Sequence, residues 1–189
     1  MTALSGNAGL EMLAAFILQN IAAEDQDGPM RVRVTISKNG EMGITSGRVP
    51  VTPLSNLFPM QLPRSGSGSD DGNEHLPSKT PEYEIVIADL GTVRSEFTHF
   101  KTTKREMYDK ARERARIALP DRKEVLILNE ADQSVMEGSI ATPYFWRNGK
   151  WITPTVSKEY SPRNGSGGQD GTSRRWALER QVILIGASR

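Results

Sequence analysis

At 189 residues, with 37% hydrophobic and 25% charged residues, the chain is long enough to bury one substantial core or two small ones. Its net charge of +1 gives no electrostatic reason to expect nucleic acid as a partner. With no cysteine and only two histidines, His75 and His99, disulfides, thiolate metal sites and Cys/His nucleophiles are excluded, which leaves lysine, serine and threonine for covalent chemistry.

Ser5 or Asn7 can cap a first helix that sets Leu10, Leu13, Ala14, Ile17 and Ile21 on one face and ends in the turn residues 25–29. Its apolar run, residues 12–18, is too short to span a bilayer and has no basic region before it, so neither a membrane span nor a signal peptide is expected and the default location is cytoplasmic. Residues 30–37 alternate, with Val32, Val34 and Ile36 on one side and Arg31, Arg33 and Thr35 on the other. Asn39-Gly40 then turns the chain into a second strand that runs through Ile44, which predicts a β-hairpin. Periodicity dissolves over residues 46–81, and the serine, glycine and aspartate of residues 64–73 read as a flexible linker or insertion.

Order returns with a strand at residues 83–90, rich in β-branched side chains, and a helix over residues 106–119 with Met107, Ala111, Ala115 and Ala118 on its apolar face. Arg112, Arg114 and Arg116 alternate with Glu113 near Asp109, the pattern of a solvated helix face, and Pro120 stops the helix. A buried strand follows at residues 124–128, then a turn at 129–133 and a strand over 134–137. A second hairpin turns at Asn148-Gly149, and a glycine-rich loop at 164–171 leads into a helix over about residues 172–181. Such a loop delivers backbone N–H groups and a helix dipole to one point, which suits a phosphate. The mixture of helices and short strands predicts an α+β fold.

Lys101 lies at the junction between the 83–90 strand and the 106–119 helix, where a side chain can point into a cleft. Thr102 and Thr103 place hydroxyls beside it, and Lys104 and Arg105 are neighbouring cations. A lysine that is desolvated or crowded by other cations loses its proton readily and becomes a nucleophile toward carbonyl groups. A solvated lysine at a basic helix start is the plain alternative for Lys101 alone. A strand-end carboxylate in water is the plain alternative for Glu137, and a mobile surface loop for residues 164–171. Trp146, Trp151 and Trp176 read as packing groups, and His99 as a packed polar neighbour of the lysine.

The order Lys101, Glu137 and Gly168–Arg174 resembles the large domain of the class IV, or fold-type IV, pyridoxal-phosphate enzymes, which include branched-chain and D-amino-acid aminotransferases and 4-amino-4-deoxychorismate lyases. Lys101 with Arg105 is similar to that family's K-x-x-x-R setting. Residues 137–144 (EGSIATPY) are similar to its E-x-S-x-x-N segment, residues 151–154 (WITP) to its W-x-T-P strand, and residues 168–174 (GQDGTSR) to its G-x-x-G-x-[Thr/Ser]-R turn. The resemblance covers residues 83–179 and extends weakly to residues 5–45.

The resemblance implies pyridoxal 5′-phosphate as cofactor, carried by Lys101, with the ring nitrogen against Glu137 and the phosphate at Gly171, Thr172 and Ser173; Arg105 completes the site. It implies a remnant of a small N-terminal α/β domain at residues 1–46, a linker at 47–81, and over 82–189 a large cofactor-binding domain with a distorted β-barrel-like sheet and flanking helices. A small amino substrate and a homodimer are implied as partners. The THFKTT context of Lys101 and the pair Thr142-Pro143, in place of the usual asparagine and its neighbour, lean toward fungal-type 4-amino-4-deoxychorismate lyases, which release p-aminobenzoate and pyruvate. A branched-chain or D-amino-acid aminotransferase and a catalytically impaired homologue kept for association remain open. An arginine and a hydroxyl that bind the phosphate in the family would fall before Met1 and after Arg189, so the chain reads as shortened at both ends, with weakened cofactor binding.

Overall fold

In the computed structural model, which describes residues 5–21, 28–63, 83–118 and 121–186, the chain forms an α+β fold that divides into two units, Met1–Pro53 and Leu54–Arg189. In the first unit, helix α1 (Gly6–Asn20) begins after Ser5, whose side chain makes no capping bond. Its inward stripe is Gly9, Leu13, Phe16 and Ile17, followed by Ile21. Leu10, predicted to face inward, is 66% exposed.

Strands β1 (Met30–Ile36) and β2 (Met42–Arg48) pair antiparallel, with Val34 opposite Ile44. Val32 and Val34 are half-buried as the alternation requires, whereas Ile36, at the strand end, is exposed. The Asn39-Gly40 turn is not a two-residue hairpin. Gly40 N–H donates to Ser37 O, Ser37 N–H donates to Glu41 O, and Gly40 alone takes a positive φ, +86°, so the loop spends three residues.

The second unit is built on strand β4 (Lys123–Leu128). Strand β3 (Glu84–Ile87) pairs with it in parallel and β5 (Val135–Gly138) antiparallel. A parallel neighbour requires a crossover, here supplied by the helical turn α2 (Glu96–His99) and helix α3 (Glu106–Arg114). Helix α3 packs on β4, and Glu124 through Ile127 are all buried, so the strand reads as an unbroken run. Val125 and Ile127 pack with Ala88, Tyr108, Ala111, Ile117 and Met136. Full burial of each such aliphatic side chain contributes roughly 1.5–3 kcal/mol.

Helix α3 ends at Arg114, earlier than predicted, and through its own backbone. Arg116 adopts φ +53°, its N–H donates to Glu113 O, and Ile117 N–H donates to Arg112 O, the two bonds of a Schellman motif. Pro120, assigned the stopping role from sequence, lies outside the described residues. The buried stripe is Tyr108, Ala111 and Arg112, rotated from the one predicted through Met107 and Ala118; Ala118 is exposed.

Strands β6 (Phe145–Arg147) and β7 (Lys150–Thr153) form the second hairpin, here with both Asn148 and Gly149 at positive φ, the two-residue turn that the dipeptide predicts. Helix α4 (Thr172–Glu179) crosses over to β8 (Leu184–Ile185), which pairs with β7 in parallel. Within the stretch predicted as linker, Leu54–Asn56 form a 3-10 turn, the Phe58 ring lies 5.3 Å from that of Trp176, and Pro63 O accepts a bond from Trp151 Nε1 at 2.8 Å. Residues 64–73, where flexibility was expected, lie outside the described residues. Among the described residues the strands form three separate sheets and no closed barrel, and no helix is long and apolar enough to cross a membrane.

Candidate active site

Lys101 sits in the loop between α2 and α3, with its side chain exposed. The loop is anchored before and after it. Upstream, Ser95 N–H donates to Thr98 Oγ1 at 3.0 Å, and the buried His99 ring stands edge-on to Phe100 at 4.6 Å. Downstream, Arg105 Nη2 donates to Ser139 O at 2.6 Å while its guanidinium lies 4.8 Å from the Tyr108 ring centre. Lys104 turns away, its ammonium 4.3 Å from the centre of the Phe97 ring. The Thr102 hydroxyl is directed to Lys104 O at 3.4 Å.

Glu137, on β5, is 9% exposed and is the centre of the site. Tyr108, 1% exposed on α3, donates its hydroxyl to Glu137 Oε1 at 2.5 Å. Gln169 touches both groups, its backbone N–H directed to the Glu137 carboxyl and its side chain to the Tyr108 hydroxyl. The approach of this loop depends on glycine, since a Cβ on Gly168 would stand 2.5 Å from Met136 O.

Burial pushes the Glu137 carboxyl up to about 7, against the opposing pull of the Tyr108 hydroxyl, the Gln169 N–H and the charges of Arg105 and Lys101. Burial likewise raises the Tyr108 phenol far above its usual value, reinforced by the charge of Glu137 and the bond to it. No ion pair within 4.0 Å reaches Glu137 among the described residues.

At the far end of the same loop, Gly171 is the N-cap of α4 and makes no side-chain capping bond. Its φ of −63° suits any residue, and a Cβ there would meet only Thr142 Oγ1 at 3.5 Å, so the glycine leaves space above the first turn. The first helical bond runs from Arg175 N–H to Gly171 O, so the N–H groups of Thr172, Ser173 and Arg174 precede the helical ladder. Thr172 is exposed, and the Ser173 hydroxyl interacts with that of Tyr144.

Arg174 belongs to the scaffold: it is 3% exposed and donates to Asp170 Oδ1 at 2.6 Å and to Pro154 O at 2.7 Å. Pro154 closes the W-x-T-P segment, whose Thr153 hydroxyl donates to Pro143 O at 3.2 Å, so that segment steadies the start of α4. Arg175 remains outside, bonded to Asp170 O and 3.4 Å from Thr172 Oγ1.

The structure thus brings the charges of Lys101 and Arg105 to Glu137 and connects Glu137 through Gln169 to the turn that holds Gly171, Thr172 and Ser173. The family model for amino-transferase class IV matches residues 10–182. The chain belongs to the class IV aminotransferases. It is also 28% identical over 169 residues to an aminodeoxychorismate lyase of Saccharomyces cerevisiae, an alignment that covers 82% of this chain and 44% of the yeast protein. The chain therefore spans less than half the length of that relative. Class IV aminotransferases and aminodeoxychorismate lyases are pyridoxal-phosphate-dependent, and the Lys101, Glu137 and glycine-turn order stands inside the matched region.

Three residues around this candidate site escaped the sequence reading. Tyr108 was passed over because the helix face was drawn one residue away, although Tyr108, Ala111, Arg112 and Ala115 fall at the i, i+3, i+4, i+7 spacing of a buried stripe. Arg112, read as solvated, is 9% exposed, and its Nη1 donates to Ser139 Oγ at 3.1 Å. Gln169 carried no signal beyond its place in the glycine turn.

Proposed function

We propose that this class IV chain is a pyridoxal-phosphate-dependent enzyme for a small amino substrate and that its reaction is the lyase conversion of 4-amino-4-deoxychorismate to p-aminobenzoate and pyruvate. The observation that carries the site is the convergence of Lys101, Arg105, Tyr108 and Gln169 on one buried carboxyl, Glu137. The likeness to the yeast lyase supports the choice of reaction.

The residues fit the cofactor. Glu137 is buried, is raised in its affinity for a proton, and has no cation bonded directly to it among the described residues; a protonated ring nitrogen is the partner such a group accepts. The open start of α4, with Thr172, Ser173 and the free N–H groups of its first turn, suits the phosphate, and Arg175 adds positive charge beside Thr172. When bound, pyridoxal phosphate supplies an electron sink for negative charge at the amine-bearing carbon of the substrate.

Lys101 is exposed and close enough for its charge to act at Glu137, which suits it to hold the cofactor through Nζ and then to carry a proton to and from the amine-bearing carbon. Glu137 keeps positive charge at the ring nitrogen. Arg105 ties the Lys101 loop to Ser139 O, one residue beyond the end of β5, and so fixes the distance between lysine and carboxylate. Thr172 and Ser173 bind the phosphate. The same residues would serve an aminotransferase, so a branched-chain or D-amino-acid aminotransferase is the second reading. We place the chain in the cytoplasm as a homodimer, with residues 1–46 as the small-domain part and 82–189 as the cofactor domain.

Borohydride reduction in the presence of pyridoxal phosphate should add the mass of the reduced cofactor to the Lys101 peptide. Incubation with 4-amino-4-deoxychorismate should release p-aminobenzoate together with pyruvate. Label confined to other lysines sinks the assignment of Lys101. Keto-acid production from branched-chain or D-amino acids, with no p-aminobenzoate, selects the aminotransferase.

A further inference from the structure

The Tyr108–Glu137 contact is built more rigidly than a helix surface requires. Tyr108 is at the third position of α3, where its ring packs in the core with Ala88, Ala111, Val125, Ile127 and Met136. The Arg105 guanidinium covers the ring at 4.8 Å. The ring is therefore held on both sides, and only its hydroxyl emerges at a polar group.

That hydroxyl has one proton and two acceptors within reach, Glu137 Oε1 at 2.5 Å and Thr98 O at 3.4 Å, so the bond goes to the carboxyl. Gln169 directs its side chain to the phenol oxygen and its N–H to the carboxyl, which closes a three-membered cluster from α3, β5 and the glycine turn. The charged groups that act at Glu137 from these elements and from the 100–105 loop are Arg105 and Lys101.

We propose that Tyr108 is the positioning residue for Glu137: its hydroxyl fixes the carboxyl's orientation and favours the anion, so that the group is ready to face a cationic N–H donor. This rests on the assignment of Glu137 to the cofactor's ring nitrogen, and it adds the residue that sets the carboxyl's state before the cofactor arrives. A hydrogen bond to an ionised acceptor favours the ionised form, and in a buried site nothing from solvent replaces it. Burial raises the proton affinity of Glu137, and the phenol is the first of the groups that oppose it. Without the phenol, the carboxyl would hold its proton to higher pH and meet an N–H donor as a neutral acid.

Glutamate labelled with carbon-13 at the carboxyl carbon gives the test by NMR on the full chain without cofactor, with the Glu137 signal assigned by its absence in Glu137→Gln. In the parent the signal should titrate near 7. In Tyr108→Phe, which keeps the ring and removes only the hydroxyl, the midpoint should move up by about one to two pH units. A role in packing alone leaves the midpoint in place, and that result overturns the proposal.

Should Tyr108→Phe not fold, the unaltered protein still decides the matter. A short bond between buried groups predicts a far-downfield, slowly exchanging tyrosine hydroxyl proton that disappears in Glu137→Gln, and its absence from the parent overturns the proposal. A Tyr108-dependent midpoint in a chain whose Lys101 takes no cofactor would sink the cofactor reading and leave the positioning role standing. A fixed midpoint in a chain that does take cofactor would do the reverse.

Discussion

Two buried carboxyls lie on adjacent strands of the same sheet and live in opposite circumstances. Glu124 on β4 accepts bonds from Val125 N–H at 2.9 Å, Ser139 N–H at 2.9 Å, the Ser139 hydroxyl at 2.5 Å and Ile140 N–H at 3.2 Å, with Arg112 Nη1 4.0 Å away. Its donors are local or tied to the segment that follows β5, and its charge is spent on holding that segment. Glu137 on β5 is met by one hydroxyl and one backbone N–H, and the nearby cations are not bonded to it. The first carboxyl is a structural pin and the second has capacity left for a ligand. Burial therefore does not separate scaffold from site; how fully the buried group is satisfied does.

Removing Glu124 should have the largest effect on stability. Glu124→Ala removes the acceptor of the Ser139 hydroxyl and the Ile140 N–H and leaves the buried Arg112 without its paired carboxylate, which costs about 3–5 kcal/mol. The urea midpoint should fall accordingly, and the Glu137 midpoint should be disturbed as well, because Ser139 O anchors Arg105. A loss below 1 kcal/mol would show that solvent reaches Glu124 and that the two carboxyls are less different than their contacts imply.

The pH dependence of stability should single out Glu137. Its native midpoint lies at about 7 against an ordinary value of 4.5, so the native state holds the proton where the unfolded chain has lost it. The stabilisation linked to that proton is complete below 4.5 and is lost as pH rises through 7, about 3 kcal/mol in all. Other shifted groups act elsewhere: Asp89 is lowered by Arg114 and matters only at more acid pH, while Tyr108, Tyr144 and Lys123 are raised from values of 10 or above. Urea unfolding between pH 5 and 8 should show the cofactor-free protein weakening with pH. In Glu137→Gln the slope should vanish, and the variant should be more stable than the parent at pH 8. A slope unchanged by Glu137→Gln would place the proton on another group.

The contrast also explains what could be read from the sequence. Lys101, Glu137 and the glycine turn could be picked out as candidates because family spacing marks them along the chain, and β4 was legible as an apolar run. The donors were not. Tyr108 and Arg112 lie on a helix whose rotation about its axis is set by tertiary packing, and a face drawn one residue away hid both. The hairpins teach the same lesson at the backbone: Asn148-Gly149 and Asn39-Gly40 are the same dipeptide, yet only the first forms the two-residue turn, because the pairing of Ile36 with Met42 leaves the second an odd loop to close. Local sequence gives the turn residue, and strand register decides how it is used.

The smallest expected effect serves as the control for the comparison. Helix α3 carries one donor for each carboxyl environment, Tyr108 for Glu137 and Arg112 for the Ser139–Glu124 cluster, and it ends on Arg116 at φ +53°. A non-glycine residue in the left-handed region costs about 1–2 kcal/mol, of which glycine's greater freedom in the unfolded chain offsets roughly half. Arg116→Gly should therefore stabilise the protein by about 0.5–1 kcal/mol in urea unfolding while touching neither carboxyl. Its effect should be the same at pH 5 and pH 8, and the Glu137 midpoint should stay where it is in the parent. A gain confined to one end of that pH range would mean that tightening the end of α3 moves Tyr108 relative to Glu137, and that the two carboxyls are coupled through the helix rather than held independently by their own donors.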